Sequence, residues 1–219
     1  MRFASVPSLP PSQQRLGFHV FDVNLALFRL RLMSKKLLFA LSLLAVTVAA
    51  FAFEWRKTGN VMPATGTVQV AFPPDEDANS LIVAALREAH NTVRVQAFSF
   101  TSNEIAFALI AAQRRGVDVQ VIADAEQMRK LEHNKLGLMY QAGVRIWLDA
   151  QHQSAHNKIM VIDGASASPT VVTGSMNFTY SGQFKNAENL LILRGNKPLA
   201  DAYSANWQRH RNHAIPFHS

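Results

Sequence analysis

From Val68 to Leu148 the chain alternates four strand-like runs with three helix-like ones, and no other feature restricts its fold as strongly. Val68 to Phe72 is a short strand stopped by Pro73-Pro74, which cannot extend a ladder. Asp75 to Asn79 can cap a helix with Leu81, Ile82, Ala85, Leu86 and Ala89 on its apolar face. Val93 to Phe98 is the next strand. Ser102 then caps a helix carrying Ile105, Ala108, Leu109 and Ala112, which Gly116 ends. Val117 to Ile122 is a third strand, Glu126 to Ala142 a helical stretch, and Val144 to Leu148 a fourth strand after Gly143. This rhythm predicts an α/β fold with a largely parallel first half. Beyond it, Lys158 to Ile162, Thr170 to Gly174 and Asn189 to Leu193 are strand-like, with little room for helices between the first two. That half is expected to be antiparallel, and Leu199 to His210 closes the domain as a helix. The fold class is α/β: a mixed β-sheet sandwiched by helices.

A core is within reach, because 48% of the 219 residues are hydrophobic and only 17% are charged. The absence of cysteine excludes disulfides, thiolate metal sites and a cysteine nucleophile. The formal charge of +7 is uneven: residues 1–52 carry +5, and residues 53–219 only +2. Bulk charge therefore does not mark a nucleic-acid binder. The C-terminal part, at +5 over 129–219, is compatible with a polyanionic substrate without requiring one.

Leu37 to Phe53 contains no charge, follows Met33-Ser34-Lys35-Lys36, and ends at the small-x-small step Ala50-Phe51-Ala52. That is the pattern of a secretory signal. Its length lies near the lower limit of about 17 residues for a bilayer span, so an uncleaved anchor is the alternative. Only in that case would the chain contact a membrane. Residues 1–32 are too long for a signal's basic start and read as a misassigned start or an unstructured extension, with translation beginning at Met33. The chain thus divides into 1–32, a signal at 33–52, a linker at 53–66 and a folded domain at 67–219.

One constellation carries chemistry. His156-Asn157-Lys158 opens a strand that runs to Asp163, and Gly174-Ser175-Met176-Asn177 follows a hairpin at Gly164 to Pro169. Residues two apart on a strand share a face, so His156 pairs with Lys158 and Ser175 with Asn177. On neighbouring strands these groups offer a nucleophile or base beside donors for an anionic oxygen. Glu188, within Asn186-Ala187-Glu188-Asn189, is placed to hold an imidazole's second nitrogen. Asp163, five residues past Lys158, falls on the opposite face and reads as structural. His133-Asn134-Lys135 repeats the tripeptide within the helical stretch, without a matching Asp or Gly-Ser-x-Asn, and reads as a helix surface feature. His152 and His156 are four apart, but their segment has no helical stripe, so no metal site is expected there. His210, His213 and His218 read as a solvated tail, with a weak metal-binding cluster as the alternative.

The spacing H-x-K-x4-D followed by G-S-x-N resembles the signature of the phospholipase D superfamily. The resemblance spans Val68 to His210 and points to the superfamily's small, single-motif, secreted bacterial endonucleases. It implies a phosphodiesterase in which two such motifs meet. One histidine attacks phosphorus to form a phosphohistidine. The other protonates the leaving oxygen and then activates water. With one motif in the chain, the resemblance implies a homodimer with a composite site. In it His156 is nucleophile in one copy and general acid/base in the other. Lys158 and Asn177 hold phosphoryl oxygens with help from Ser175, Glu188 orients the imidazole, and Asp163 and Gly174 are structural. No cofactor and no metal is expected, since paired lysines supply the charge stabilisation.

The expected substrate is DNA, and possibly RNA, cleaved without sequence preference by an exported, periplasmic or secreted enzyme. An inner-membrane anchored, periplasm-facing form is the alternative location. Arg114, Arg115, Lys185 and Arg194 are candidate phosphate contacts. The other readings are a lipid-cleaving phospholipase D and a non-catalytic nucleic-acid-binding module.

Overall fold

The computed structural model describes residues 59–218, together with Ala40. The extension and the signal expected ahead of residue 53 lie, Ala40 apart, outside the described residues. The chain divides into units at Met1–Asn60 and Val61–Ser219, and the sheet lies in the second.

Eight strands form one sheet in the order β1-β7-β6-β5-β2-β3-β4-β8. They are β1 (Thr67–Ala71), β2 (Thr92–Ala97), β3 (Asp118–Asp124), β4 (Arg145–Asp149), β5 (Lys158–Ile162), β6 (Thr170–Gly174), β7 (Leu190–Arg194) and β8 (Ile215–Pro216). Strands β2, β3 and β4 are parallel. From β5 outward through β6, β7 and β1 every pairing is antiparallel, as is β8 on β4. The mixed sheet is as expected, with one refinement: β1 does not join the parallel set but pairs with β7 at the far edge.

Among the described residues there are six helices: α1 (Ala78–Arg87), α2 (Asn103–Arg114), α3 (Ala125–Lys130), α4 (Leu136–Gln141), α5 (Tyr180–Phe184) and α6 (Lys197–His213). Helix α1 is capped by Asp77, which accepts from Ser80 N, and α2 by Ser102, which accepts from Ile105 N. Ile105 and Leu109 are at 0% exposure, and burial of each is worth about 1.5–3 kcal/mol, which seats α2 on the sheet.

Strand alternation decides which face each side chain joins. Val119, Val121, Ile146, Met160, Ile162 and Val172 face the large core under α1, α2 and α4. Their neighbours Ile122 and Trp147 turn the other way, toward Trp207 of α6, and Val161 and Val171 meet Ala200 there. Trp207 also donates its Nε1–H to Val95 O at 3.0 Å, which fixes α6 across the sheet.

The single helical stretch expected over Glu126 to Ala142 is broken into α3 and α4. Asn134 is the cause: its Nδ2 donates to Met128 O and Leu131 O, and its Oδ1 accepts from Leu136 N. A side chain that binds nearby backbone competes with the helix ladder. The repeated His133-Asn134-Lys135 tripeptide therefore lies in a turn and not on a helix surface. The closing helix also runs past His210 to His213.

Candidate active site

The motif residues meet at one end of the sheet because the registers oblige them to. Lys158 at the start of β5 pairs with Ala97 at the end of β2, and Gly174 at the end of β6 pairs with Leu190 at the start of β7. Strands β3 and β4 end beside them at Asp124 and Asp149.

His156 stands just before β5, in a segment tied to β2 by Phe98 N donating to Asn157 O at 2.9 Å. Lys158 is 6% exposed. Its Nζ donates to His156 O at 2.7 Å and lies 2.9 Å from His156 Nδ1. The Phe98 ring sits 4.3 Å from the imidazole and 5.0 Å from Nζ, walling the pair on one side. Burial depresses the Lys158 pKa from 10.5 to about 8, and the nearby Glu188 carboxylate pulls it partly back. Phe98 escaped the sequence reading as a site residue; it looked like the last residue of an apolar strand.

Ser175 and Asn177 do not continue β6. That strand stops at Gly174, whose φ of +153° suits only glycine and where a Cβ would lie 2.2 Å from Asn189 O. The chain turns there, with Ser175 N and Met176 N both donating to Asn189 O. Ser175 Oγ donates to Glu188 Oε2 at 2.5 Å and accepts from Asn189 N at 3.0 Å. Asn177 Oδ1 is buried and finds no hydrogen-bond partner among the described residues. Phe178, packed on Phe100 at 5.7 Å, anchors this turn to the segment after β2.

Glu188 was expected against the His156 imidazole. Within the protomer Ser175 and Asn186 Nδ2 occupy its carboxylate, and the Nδ1 of His156 faces Lys158. Asp163 lies at the opposite end of β5, with φ +49°, and accepts from His90 N, Asn91 N and Thr92 N at 2.6–2.9 Å.

Of the four candidate phosphate contacts, only Lys185 is on the motif's side of the sheet, stacked 5.6 Å over Tyr180 just before Glu188. Arg114 and Arg115 precede the far end of β3, and Arg115 donates to Leu86 O and Ala89 O at the end of α1. Arg194 closes the far end of β7 beside Gln69 and Glu88. These three cannot reach a phosphate held at His156, because a five-residue strand separates the ends by about 17 Å.

The expectation of a chain without metal ligands, working strictly without metal, is corrected by a cluster near the motif. Asp149, His152, His210 and His213 bring one ligand atom each within 4.8 Å of one another. The Asp149 side chain has 0% exposure and that of His210 14%, so these histidines are not a solvated tail. Burial opposes the charge on Asp149, but bonds from His210, His213 and His152 hold its carboxyl well below the usual range. The available signals were two i, i+3 pairs, Asp149 with His152 and His210 with His213.

The family model described as "Cardiolipin synthase, PLD-like domain" matches residues 82–211. A phospholipase D of Rickettsia prowazekii is 34% identical over 140 residues, which is 64% of this chain and 65% of that protein. This chain thus spans slightly less than two thirds of that relative's length. The crystal structure of Nuc from Salmonella typhimurium, a phospholipase D family member, superposes with a TM-score of 0.66 at 30% identity, covering 71% of this chain and all of that one. NucT from Helicobacter pylori gives a TM-score of 0.62 over 70% of this chain and 100% of that one. At 21% identity the NucT likeness concerns the fold. Among the described residues no helix is long and apolar enough to cross a membrane.

Proposed function

The chain belongs to the phospholipase D superfamily, and on that premise we propose that it is an enzyme that hydrolyses phosphodiester bonds in nucleic acid, DNA foremost, at a site shared by two copies. The observation that carries this reading is the convergence of His156, Lys158 and the Ser175–Asn177 turn at one sheet end.

The roles follow from the chemistry of each group. A nitrogen of His156 attacks phosphorus, a P–N bond forms, and the P–O bond to the leaving strand breaks. The leaving oxygen takes a proton from the imidazole contributed by the second copy. That imidazole then removes a proton from water, whose oxygen displaces His156 from phosphorus. Lys158 and the Asn177 amide hold the nonbridging oxygens, where charge accumulates. Glu188, near Lys158, keeps it charged between turnovers, and Ser175 fixes Glu188.

Two features support a second copy at this end. Asn177 Oδ1 is buried without a hydrogen-bond partner among the described residues, which is costly unless another chain or the substrate supplies a donor. Phe72, Tyr180 and Phe184 are 50–61% exposed on elements beside the motif, an apolar fringe that a second copy would cover. The signal pattern read at residues 33–52 would place such an enzyme outside the cytoplasm.

The test is cleavage of plasmid DNA and of phosphatidylcholine vesicles by the full chain, beside His156→Ala, over 50–300 mM salt. The expected result is plasmid cleavage lost in the variant, with affinity falling steeply as salt rises. Intact plasmid with released choline would overturn the nucleic-acid reading in favour of a lipid substrate. The phospholipase D name of the Rickettsia relative favours that second reading.

A further inference from the structure

Three imidazoles surround one carboxylate oxygen at the end of β4. His210 Nδ1 lies 2.7 Å from Asp149 Oδ2, His152 Nδ1 3.1 Å and His213 Nε2 3.2 Å. His152 Nδ1 also lies 3.2 Å from Oδ1, so three ring nitrogens converge on the two oxygens of one carboxylate whose side chain is fully buried. A cation among the four groups suits the same arrangement, because each ring then turns a lone pair inward.

The rings are already arranged for one. Their centroids are 4.8, 5.2 and 5.5 Å apart. With metal–nitrogen bonds of about 2.0–2.1 Å, ring centres sit about 3.2 Å from the ion and about 5.2 Å from each other in a tetrahedron. We infer that Asp149, His152, His210 and His213 form a four-ligand zinc site that ties α6 and the loop after β4 to the sheet end carrying His156. Three imidazoles disfavour calcium and magnesium, which take oxygen ligands. Four protein ligands leave no open position for water, so the ion is structural and not a hydrolytic centre.

Its position gives the site a consequence for the motif. Asp149 pairs in register with Asp124. Asp124 Oδ2 in turn accepts from Ala155 N at 2.8 Å, one residue before His156. The loop 150–155 is therefore held at its start by the His152 ligand and at its end by Asp124. A cleft of about 320 Å³ lined by Asp124, Glu126, Arg129, Asp149 and His152 opens beside the cluster and gives an ion a path to it.

The test uses the full chain stripped of metal and titrated with ZnCl₂, followed by bound-metal analysis and thermal unfolding. Cobalt(II) serves as the spectroscopic probe. One zinc per chain is expected, with intense visible bands of four-coordinate cobalt. With zinc 100-fold above its Kd, Tm should rise by about 5–10 °C. His213→Gln should abolish all three effects and His156→Ala should keep them. Should His213→Gln fail to fold, His152→Gln, on the half-exposed loop, is read in its place and is expected to lose the same effects. No saturable binding by the wild-type chain, binding retained in both ligand variants, or weak six-coordinate cobalt bands would overturn the assignment. None of these outcomes depends on whether the enzyme cleaves DNA.

Discussion

The Lys158 ammonium lies 2.9 Å from Nδ1 of His156. An ammonium only donates, so the nitrogen it faces carries no proton, and the proton of the neutral ring sits on Nε2. That resting form is neither the nucleophile, which needs a bare Nε2, nor the general acid, which needs the doubly protonated ring. For attack through Nε2 the proton must pass to Nδ1, which requires Lys158 to withdraw. A phosphoryl oxygen is what would draw it off. On the proposed reading, one lysine both locks the resting histidine and clamps the substrate.

The first prediction concerns pH. The groups around the Lys158 ammonium are His156, Glu188 and the Phe98 ring, and burial outweighs Glu188 in setting its pKa at about 8. Activity that needs the ammonium is complete well below pH 8 and falls about tenfold per unit above it. Stability moves the opposite way. The unfolded lysine keeps its proton to 10.5, so between 8 and 10.5 the unfolded chain binds more protons and stability rises with pH. Plasmid-cleavage rates and urea midpoints measured from pH 7 to 10 should therefore diverge. A rate flat to pH 9.5 would refute the clamp.

Phe98→Leu keeps an apolar side chain near His156 but removes the ring face that meets the imidazole and the ammonium. The loss of such contacts is worth about 0.5–1.5 kcal/mol. A three- to tenfold fall in kcat with KM little changed is expected from steady-state cleavage assays. A change confined to KM would assign Phe98 to substrate binding.

The alternating strands were legible because the central strands bury both faces, and the sheet order then follows from short connections. The motif was legible because H-x-K-x4-D followed by G-S-x-N resembles a family signature, although of His156, Lys158, Ser175 and Asn177 only Lys158 lies on a strand. What the sequence concealed was distance. His210 is 61 residues from Asp149 and meets it only because α6 crosses back over β4, a consequence of where Trp207 packs. The break at Asn134 was hidden for another reason. Apolar periodicity continues through it, and one side-chain amide decides the matter locally. The contacts of Glu188 depend on the turn at Gly174, which a strand reading of Ser175 to Asn177 replaced with straight backbone.

Gly174→Ala tests that turn. The added Cβ meets Asn189 O at 2.2 Å in a backbone region closed to alanine, so the β6–β7 edge must move. A loss of about 2–4 kcal/mol is expected from urea unfolding. Activity should fall further than stability alone explains, since Ser175 and Glu188 are displaced together. Wild-type stability in this variant would contradict the geometry.

Asp163→Asn isolates a charge at the end of β5 away from His156 and Lys158. Asparagine tolerates the positive φ, so the change removes only the charged acceptor of three backbone N–H bonds. Burial alone would raise the Asp163 pKa, but these bonds lower it. The stabilisation is therefore present above the unfolded pKa of about 3.9 and vanishes as pH falls through the lower folded value. The variant should lose about 1–2 kcal/mol at pH 7, and the difference should shrink as pH falls below the unfolded pKa of about 3.9, by chemical denaturation at each pH. Cleavage activity at pH 7 and moderate temperature should stay within about twofold, because Asp163 sits at the other end of β5.

The shared site can be tested without a structure of the assembly. Wild-type chains and His156→Ala chains are unfolded together in equal amounts and refolded at constant total concentration. If each protomer works alone, half of the activity survives. If both imidazoles act in one site, as attacker and proton donor, every mixed dimer is dead and about a quarter survives by random pairing. Varying the mixing ratio extends the contrast, since activity then follows the square of the wild-type fraction and not the fraction itself. A linear dependence would rule out the composite site while leaving the role of His156 within a single protomer intact.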